Sequence, residues 1–348
     1  MVSIIIPTLN RVYQLLKTLD SINNLNVDYN LFEVIIVDNG STDTTANQVQ
    51  YFHSSKCNFS LFYFYDNTPG LLTGRHLGAS KANGSILTFI DDDVLVSTNW
   101  LNSIISATTN NNKFDLFTGP IFPYYEYCPP NWLEYFFQKS IDGNVSCGWL
   151  SLAYYGDNIK EINPQLVWGL NFTIRKSVFF ELGGFNPDNI ISEYQHFQGD
   201  GETGLSLKAI KFNKKALYHP GILIHHQISA NRMTIDYFEK RAFYQGICNS
   251  FSFLRNIHLF HNSNDFLTIK KKLSLRKRLH IVKRFMVRYF SQYQNKNESD
   301  EKIQLIQRFN SKYKEGYDFH QNSFKNNPLV KEWVLKEDYL DYKLPLHD

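Results

Sequence analysis

Asp91, Asp92 and Asp93 follow directly on the apolar run Ile86 to Ile90, so a buried strand is expected to end in three adjacent carboxylates. No Lys or Arg lies in the next fifteen residues to neutralise them locally. Two unit charges ~4 Å apart repel by about 4 kcal/mol at an effective dielectric of about 20. Carboxylates held together therefore protonate unless a cation or a donor-rich ligand compensates them. Hard oxygen ligands suit Mg²⁺ or Mn²⁺, and such an ion commonly completes its shell with substrate phosphates. Taken alone, the triplet has a second reading, a solvated acidic loop before a helix starting near Ser97 or Thr98. Its neighbours choose between the two.

Five short apolar runs must position this site: Val2 to Ile6, Glu33 to Val37, Phe59 to Tyr65, Ile86 to Ile90 and Leu116 to Ile121. They alternate with segments of helical pattern, the signature of a parallel sheet. Turn chemistry stands at their ends, in Pro7-Thr8-Leu9-Asn10, Asp38-Asn39-Gly40-Ser41-Thr42-Asp43 and Thr68-Pro69-Gly70, and in the aspartate triplet itself. Open α/β sheets bind ligands outside the carboxyl ends of their strands, where these groups would converge. The chain has no G-x-G-x-x-G and no G-x-x-x-x-G-K-[ST], so the usual dinucleotide and P-loop cradles are absent. From Tyr124 to Tyr155 the periodicity fails and aromatics accumulate, as expected of a lid or a packed functional loop. After Tyr237 the chain reads as helices to the end.

Composition narrows the class. A chain of 348 residues can bury a large α/β domain with an appendage. No apolar run reaches eighteen residues and the first residues read as a strand, so neither export nor a spanning helix is expected, and the expected location is cytoplasmic. The four cysteines contain no C-x-x-C pair, which argues against structural zinc. The net charge of +3 hides an asymmetry: Lys270 to Arg288 holds nine Lys and Arg and no acid. Removing these nine from the 36 basic residues leaves 27 against 33 acidic ones. Nucleic-acid binding is not expected, because the basic residues are confined to one segment and no recognition module is present.

Together these residues resemble glycosyltransferase family 2. The resemblance rests on a first strand ending in Pro-Thr-x-Asn-Arg, the run Val37 to Asp43, the segment Gly70 to Gly78 around Arg75, and Asp91-Asp92-Asp93. It continues through Gly169-Leu170-Asn171 and Arg175, Gly183-Gly184-Phe185, Glu202 before Leu205-Ser206-Leu207-Lys208, and His226 with Arg232 and Arg241. It covers about residues 1 to 250, and it implies a GT-A fold, a Rossmann-like and mostly parallel sheet flanked by helices. Residues 1 to 121 would form the nucleotide-sugar half and 122 to 250 the acceptor half, with 251 to 348 a helical extension. The implied reaction is inverting transfer of a sugar from a nucleotide diphosphate sugar, with UDP favoured, to a glycan or lipid-linked acceptor.

The resemblance also implies roles. Asp93 would ligate Mn²⁺ or Mg²⁺, joined by His226, an inward role that His225 could take instead. Asp91 and Asp92 would approach the donor, Asp91 at the ribose. Asp38 would accept from the uracil N3–H, or serve only as a turn residue. Arg75 would neutralise phosphate or brace the base, or form a surface salt bridge. Pro7, Thr8, Asn10, Arg11 and Asn39 would line the nucleotide pocket, and Trp168, Gly169 and Asn171 would meet the acceptor. The chain reads Asp200-Gly201-Glu202-Thr203-Gly204 where the family often has a further acid. Glu202 falls at the position of the general base, with Asp200 in reserve and an acidic helix cap as the other reading. A sugar nucleotidyltransferase would need a glycine-rich triphosphate loop that Pro7 to Arg11 does not provide. A catalytically silent carbohydrate-binding protein would have no need of both Asp93 and Glu202. Lys270 to Phe290 carries Leu275, Leu279, Val282, Met286 and Tyr289 on one helical stripe. It is expected to be an amphipathic helix, either touching an anionic membrane on the inner face or docking on the protein.

Overall fold

The computed structural model describes residues 1–259 and 299–345. The expected helix over 270–290 lies outside them. The strands are β1 (Val2–Thr8), β2 (Phe32–Asp38), β3 (Ser60–Tyr65), β4 (Ile86–Phe89), β5 (Val94–Val96), β6 (Leu116–Thr118), β7 (Ile121–Tyr125), β8 (Gln138–Lys139), β9 (Val145–Cys147), β10 (Leu152–Tyr154), β11 (Lys160–Ile162), β12 (Phe172–Arg175), β13 (Ala216–Tyr218) and β14 (Ile224–Ile228). The described α-helices are α1 (Val12–Asn23), α2 (Thr45–Ser55), α3 (Leu71–Lys81), α4 (Trp100–Asn110), α5 (Lys176–Glu181), α6 (Glu202–Lys211), α7 (Ile235–Leu259), α8 (Asp300–Asn326) and α9 (Pro328–Leu335).

β1 and β2 are buried along their whole length, which is why they read as continuous apolar runs and not as alternation. They sit inside an eight-stranded sheet ordered β11-β13-β6-β12-β4-β1-β2-β3. Pairings β3-β2, β2-β1 and β1-β4 are all parallel, so the loops after β1, β2, β3 and β4 leave the same edge. A second sheet runs β5-β14-β7-β10-β9-β8.

The run Leu116 to Ile121, expected as one strand, is two strands in different sheets. Gly119-Pro120 breaks it. A Cβ on Gly119 would lie 2.2 Å from the Ile222 carbonyl oxygen, so only glycine permits the crossing. Proline then withholds a ladder donor. The aromatic stretch Tyr124 to Tyr155 is likewise not one loop, since it contains β8, β9 and β10.

The chain divides into two compact units. One comprises Met1–Cys128, Lys139–Ala230 and Glu337–Asp348; the other comprises Pro129–Gln138 and Asn231–Lys336. The described residues of the second unit are mainly helical. A Cβ on Gly316 of α8 would lie 1.9 Å from the Phe243 carbonyl oxygen of α7, so these two helices touch at the backbone. Phe136, Phe238 and Phe309 form its aromatic centre, with ring centroids 5.4 to 5.8 Å apart. Asn327 caps α9 ahead of Pro328, and Arg255 Nη1 donates to the carbonyls of Val334 and Lys336 at its other end. Residue 250, the expected domain boundary, falls inside α7.

Candidate active site

After β1 the chain turns through Asn10, whose φ of 53° asparagine tolerates better than most residues. The Asn10 Oδ1 accepts from the backbone N–H of Thr42 and Asp43, tying this loop to the one after β2. Arg11 then meets the triplet. Its Nη1 lies 2.6 Å from Asp92 Oδ1 and its Nη2 2.6 Å from Asp93 Oδ2. Part of the positive charge that the triplet demands is thus supplied, within the protein, from the end of β1. Burial works against the Arg11 charge, but Asp92 and Asp93 outweigh it and raise its pKa.

The three aspartates have different surroundings. Asp92 is buried and accepts from Arg11 and from the Thr8 hydroxyl at 2.8 Å. Burial pushes its carboxyl up, Arg11 and Thr8 oppose that, and the charges of Asp93 and Asp91 add to it, for a net rise. Asp92, expected at the donor, is thus bonded to Arg11 through one oxygen and to Thr8 through the other. Pro7 is buried, and a Cβ on Gly74 of α3 would lie 2.5 Å from its own Cβ, so Pro7 packs under that helix. Asp91 keeps a third of its side chain exposed.

The register of the second sheet decides between the two histidines. β14 pairs antiparallel with β5 so that His226 stands opposite Val94, and the Gln227 N–H donates to the Asp93 carbonyl at 2.8 Å. His226 Nε2 lies 3.5 Å from Asp93 Oδ2, and its Nδ1 donates to the Leu150 carbonyl at 2.8 Å. With Nδ1 donating, a neutral ring turns its other nitrogen's lone pair toward the carboxylate, an arrangement that a shared divalent cation fits. His225 points the other way, onto the Phe122 ring, where burial lowers its pKa. Among the described residues no group of three or more His, Cys, Asp or Glu side chains is built to hold a metal. Two protein ligands with the rest of the shell from phosphate and water is a normal complement for Mg²⁺ or Mn²⁺.

Arg75 projects from α3 and is 3% exposed. Its Nη2 lies 3.4 Å from Asp91 Oδ1, its Nη1 3.8 Å from Glu202 Oε2, and its guanidinium sits 5.0 Å over the Phe185 ring. Nε and Nη1 make no hydrogen bond among the described residues. A buried guanidinium with donors to spare is built to receive an anion. Glu202 opens α6 with 29% of its side chain exposed, and its Oε1 accepts from the Gly169 N–H at 3.4 Å. Asp200 is buried, and its Oδ1 accepts from Asn186 Nδ2 at 2.7 Å.

Asp38 at the end of β2 accepts from the Ser41 N–H at 2.7 Å and from the Tyr63 hydroxyl at 2.5 Å. Asn39 Nδ2 donates to the carbonyls of Asp66 and Thr68. Tyr63 has no motif to mark it. It reaches Asp38 because β3 runs parallel to β2 with Tyr65 opposite Asp38. Trp168 is half-buried. Asn171 is not accessible. Its amide is fully buried, accepting from Trp100 Nε1 at 3.2 Å and donating to the Ile222 carbonyl at 2.8 Å, so it holds the fold beside the site rather than facing open space.

The sequence profile described as Glycosyl transferase family 2 matches residues 3–183 of the 348. Among curated proteins, the glucosyl-dolichyl phosphate glucuronosyltransferase of Haloferax volcanii is 22% identical over 182 residues, covering 52% of this chain and 55% of its own. The validoxylamine A glucosyltransferase of Streptomyces hygroscopicus subsp. jinggangensis is 25% identical over 203 residues, covering 54% of this chain and 47% of its own. The chain spans about half the length of these relatives. The crystal structure of GalNAc-T7 with UDP, GalNAc and Mn²⁺ has a TM-score of 0.51 at 18% identity, covering 71% of this chain and 48% of that one. The shared architecture is the GT-A type. Among the described residues no helix is long and apolar enough to cross a membrane.

Proposed function

Because the chain belongs to glycosyl transferase family 2, we propose that it transfers a sugar from a uridine diphosphate sugar to a hydroxyl of a glycan or lipid-linked acceptor, inverting the anomeric carbon. The observation that carries this reading is the cluster in which buried Arg75 lies between Asp91 and Glu202 with donors unspent. Such a cluster suits a substrate with an anionic leaving group on one side and a hydroxyl to be deprotonated on the other.

In this reading Asp38 accepts from the base, Asp91 meets the ribose, and Arg75 faces the diphosphate. Asp93 and His226 would hold a divalent cation, which supplies Lewis-acid stabilisation of charge on the leaving diphosphate. The acceptor oxygen attacks the anomeric carbon from the face opposite the diphosphate; its bond to carbon forms as the carbon–oxygen bond to UDP breaks. Glu202 takes the hydroxyl proton. Its greater exposure, against the buried and hydrogen-bonded Asp200, favours it as the base. Trp168 and Gly169 flank the acceptor side. The proposed setting is the cytosolic face of an anionic membrane, supported by the nine cationic residues of Lys270 to Arg288.

Thermal-shift screening against nucleotide sugars with Mn²⁺ tests the donor class, since a ligand of the folded state raises Tm by mass action. Uridine diphosphate sugars should stabilise the protein selectively. Equal shifts with guanosine and thymidine diphosphate sugars, or no shift with any, would overturn the proposal.

A further inference from the structure

Residues 337–345 form no helix or strand, yet they are held at several points within the first compact unit. Asp338 packs so closely on Gly183 that a Cβ there would lie 2.6 Å from its own. Tyr339 is fully buried. The Leu340 N–H donates to Asp338 Oδ1 and the Tyr342 N–H to the Tyr339 carbonyl, folding the segment into a tight turn. Tyr342 has a φ of 39°, a left-handed conformation that a bulky residue keeps only where its surroundings enforce it. Those surroundings are His76, whose ring lies edge-on 6.5 Å away, and Asp66, whose Oδ2 accepts from the Tyr342 hydroxyl at 3.1 Å.

Asp66 is the junction that gives this contact a consequence. Its N–H donates to the Asp38 carbonyl at 3.0 Å, its carbonyl accepts from Asn39 Nδ2 at 2.8 Å, and its Oδ1 accepts from the Thr68 N–H at 2.9 Å. We propose that Glu337 to Pro345 is a clamp on the base-binding end of the donor site, with Tyr342 a positioning residue that acts through Asp66 on Asp38 and Asn39. The clamp rests on the reading of Asp38 as the nucleotide-base acceptor. It adds a segment more than 150 residues beyond the matched family region, and it gives the loop after β3 a side-chain tie at Asp66 in addition to its backbone bond to the end of β2.

Tyr342→Phe removes the hydroxyl and keeps the ring against His76. Calorimetric titration with UMP and UDP, without metal, should show both nucleotides bound roughly 3- to 10-fold more weakly than by wild type, as loss of one hydrogen bond to a carboxylate warrants. The loss should be equal for the two because the defect lies at the base, and the gain in UDP affinity on adding Mn²⁺ should be unchanged. In turnover, KM for the donor should rise more than kcat falls. A variant with lower Tm but wild-type nucleotide affinity would make Tyr342 a packing residue and overturn the clamp. A wild-type protein that binds neither UMP nor UDP would overturn the donor reading beneath it, and the two failures are distinct.

Discussion

Gly169→Ala is expected to disable the site by moving a residue that it does not replace. The new methyl would lie 2.6 Å from Arg75 Nη2 and 3.1 Å from Cζ. Ordinary carbon contacts lie at ~3.5 Å or more, so the guanidinium must retreat by about 1 Å. It has little room, being 3% exposed with the Phe185 ring on one face. Overpacking of this kind costs about 1–3 kcal/mol of stability. Retreat also opens the 3.4 Å contact with Asp91 and the 3.8 Å contact with Glu202. Loss of charge-assisted contacts worth about 1.5–3 kcal/mol corresponds to a roughly 10- to 100-fold fall in kcat/KM. Gly148→Ala is the control, because nothing lies within 4 Å of a Cβ there. Thermal denaturation and transfer kinetics on both variants read the two effects. If Gly169→Ala matches Gly148→Ala in both, the contact between residue 169 and Arg75 does not organise the site.

Acid should destabilise the fold through His76, whose burial drives its imidazole down to about 3 from 6.5. The unfolded chain takes up that proton below pH ~6.5 while the folded protein does not, so stability falls by about 1.4 kcal/mol per unit as pH drops through this window, or about 2 kcal/mol by pH 5. Denaturant midpoints at pH 7 and 5 should therefore converge in His76→Gln relative to wild type; an equal loss in both proteins would show that His76 carries no share. Glu202→Gln should lower transfer by ~10² to 10⁴ with UDP affinity near wild type. Wild-type turnover in Glu202→Gln beside a dead Asp200→Asn would transfer the base role to Asp200.

The parallel half of the fold was legible because strands buried on both faces leave unbroken apolar runs, and because turn residues collect where those strands end. The single strand expected over Leu116 to Ile121 failed for a local reason: Gly119-Pro120 interrupts hydrogen bonding without interrupting hydrophobicity. Within the candidate site, the triplet stood out by residue type, and Asp38, Arg75 and Glu202 were singled out by the family resemblance. Their partnerships were not legible. Arg11 reaches Asp92 and Asp93 across more than 80 positions, and His226 reaches Asp93 only through the register of the short strand β5. Asn171 looked like a ligand contact because buried amides and binding amides are the same residue type, and only the bonds to Trp100 and Ile222 tell them apart. Tyr63 and Tyr342 gave no signal, since their contacts with Asp38 and Asp66 arise from tertiary packing.

Calorimetric titration of UDP with and without Mn²⁺, on wild type, Asp93→Asn and Asp38→Ala, tests most directly the claim that a nucleotide diphosphate lies between Asp38 and a cation at Asp93. Asparagine keeps the volume beside Arg11, so a folded variant is expected. Wild type should bind UDP more tightly with Mn²⁺, Asp93→Asn should lose that gain, and Asp38→Ala should bind weakly with or without the metal. A Mn²⁺ gain in Asp93→Asn equal to that of wild type would contradict the account.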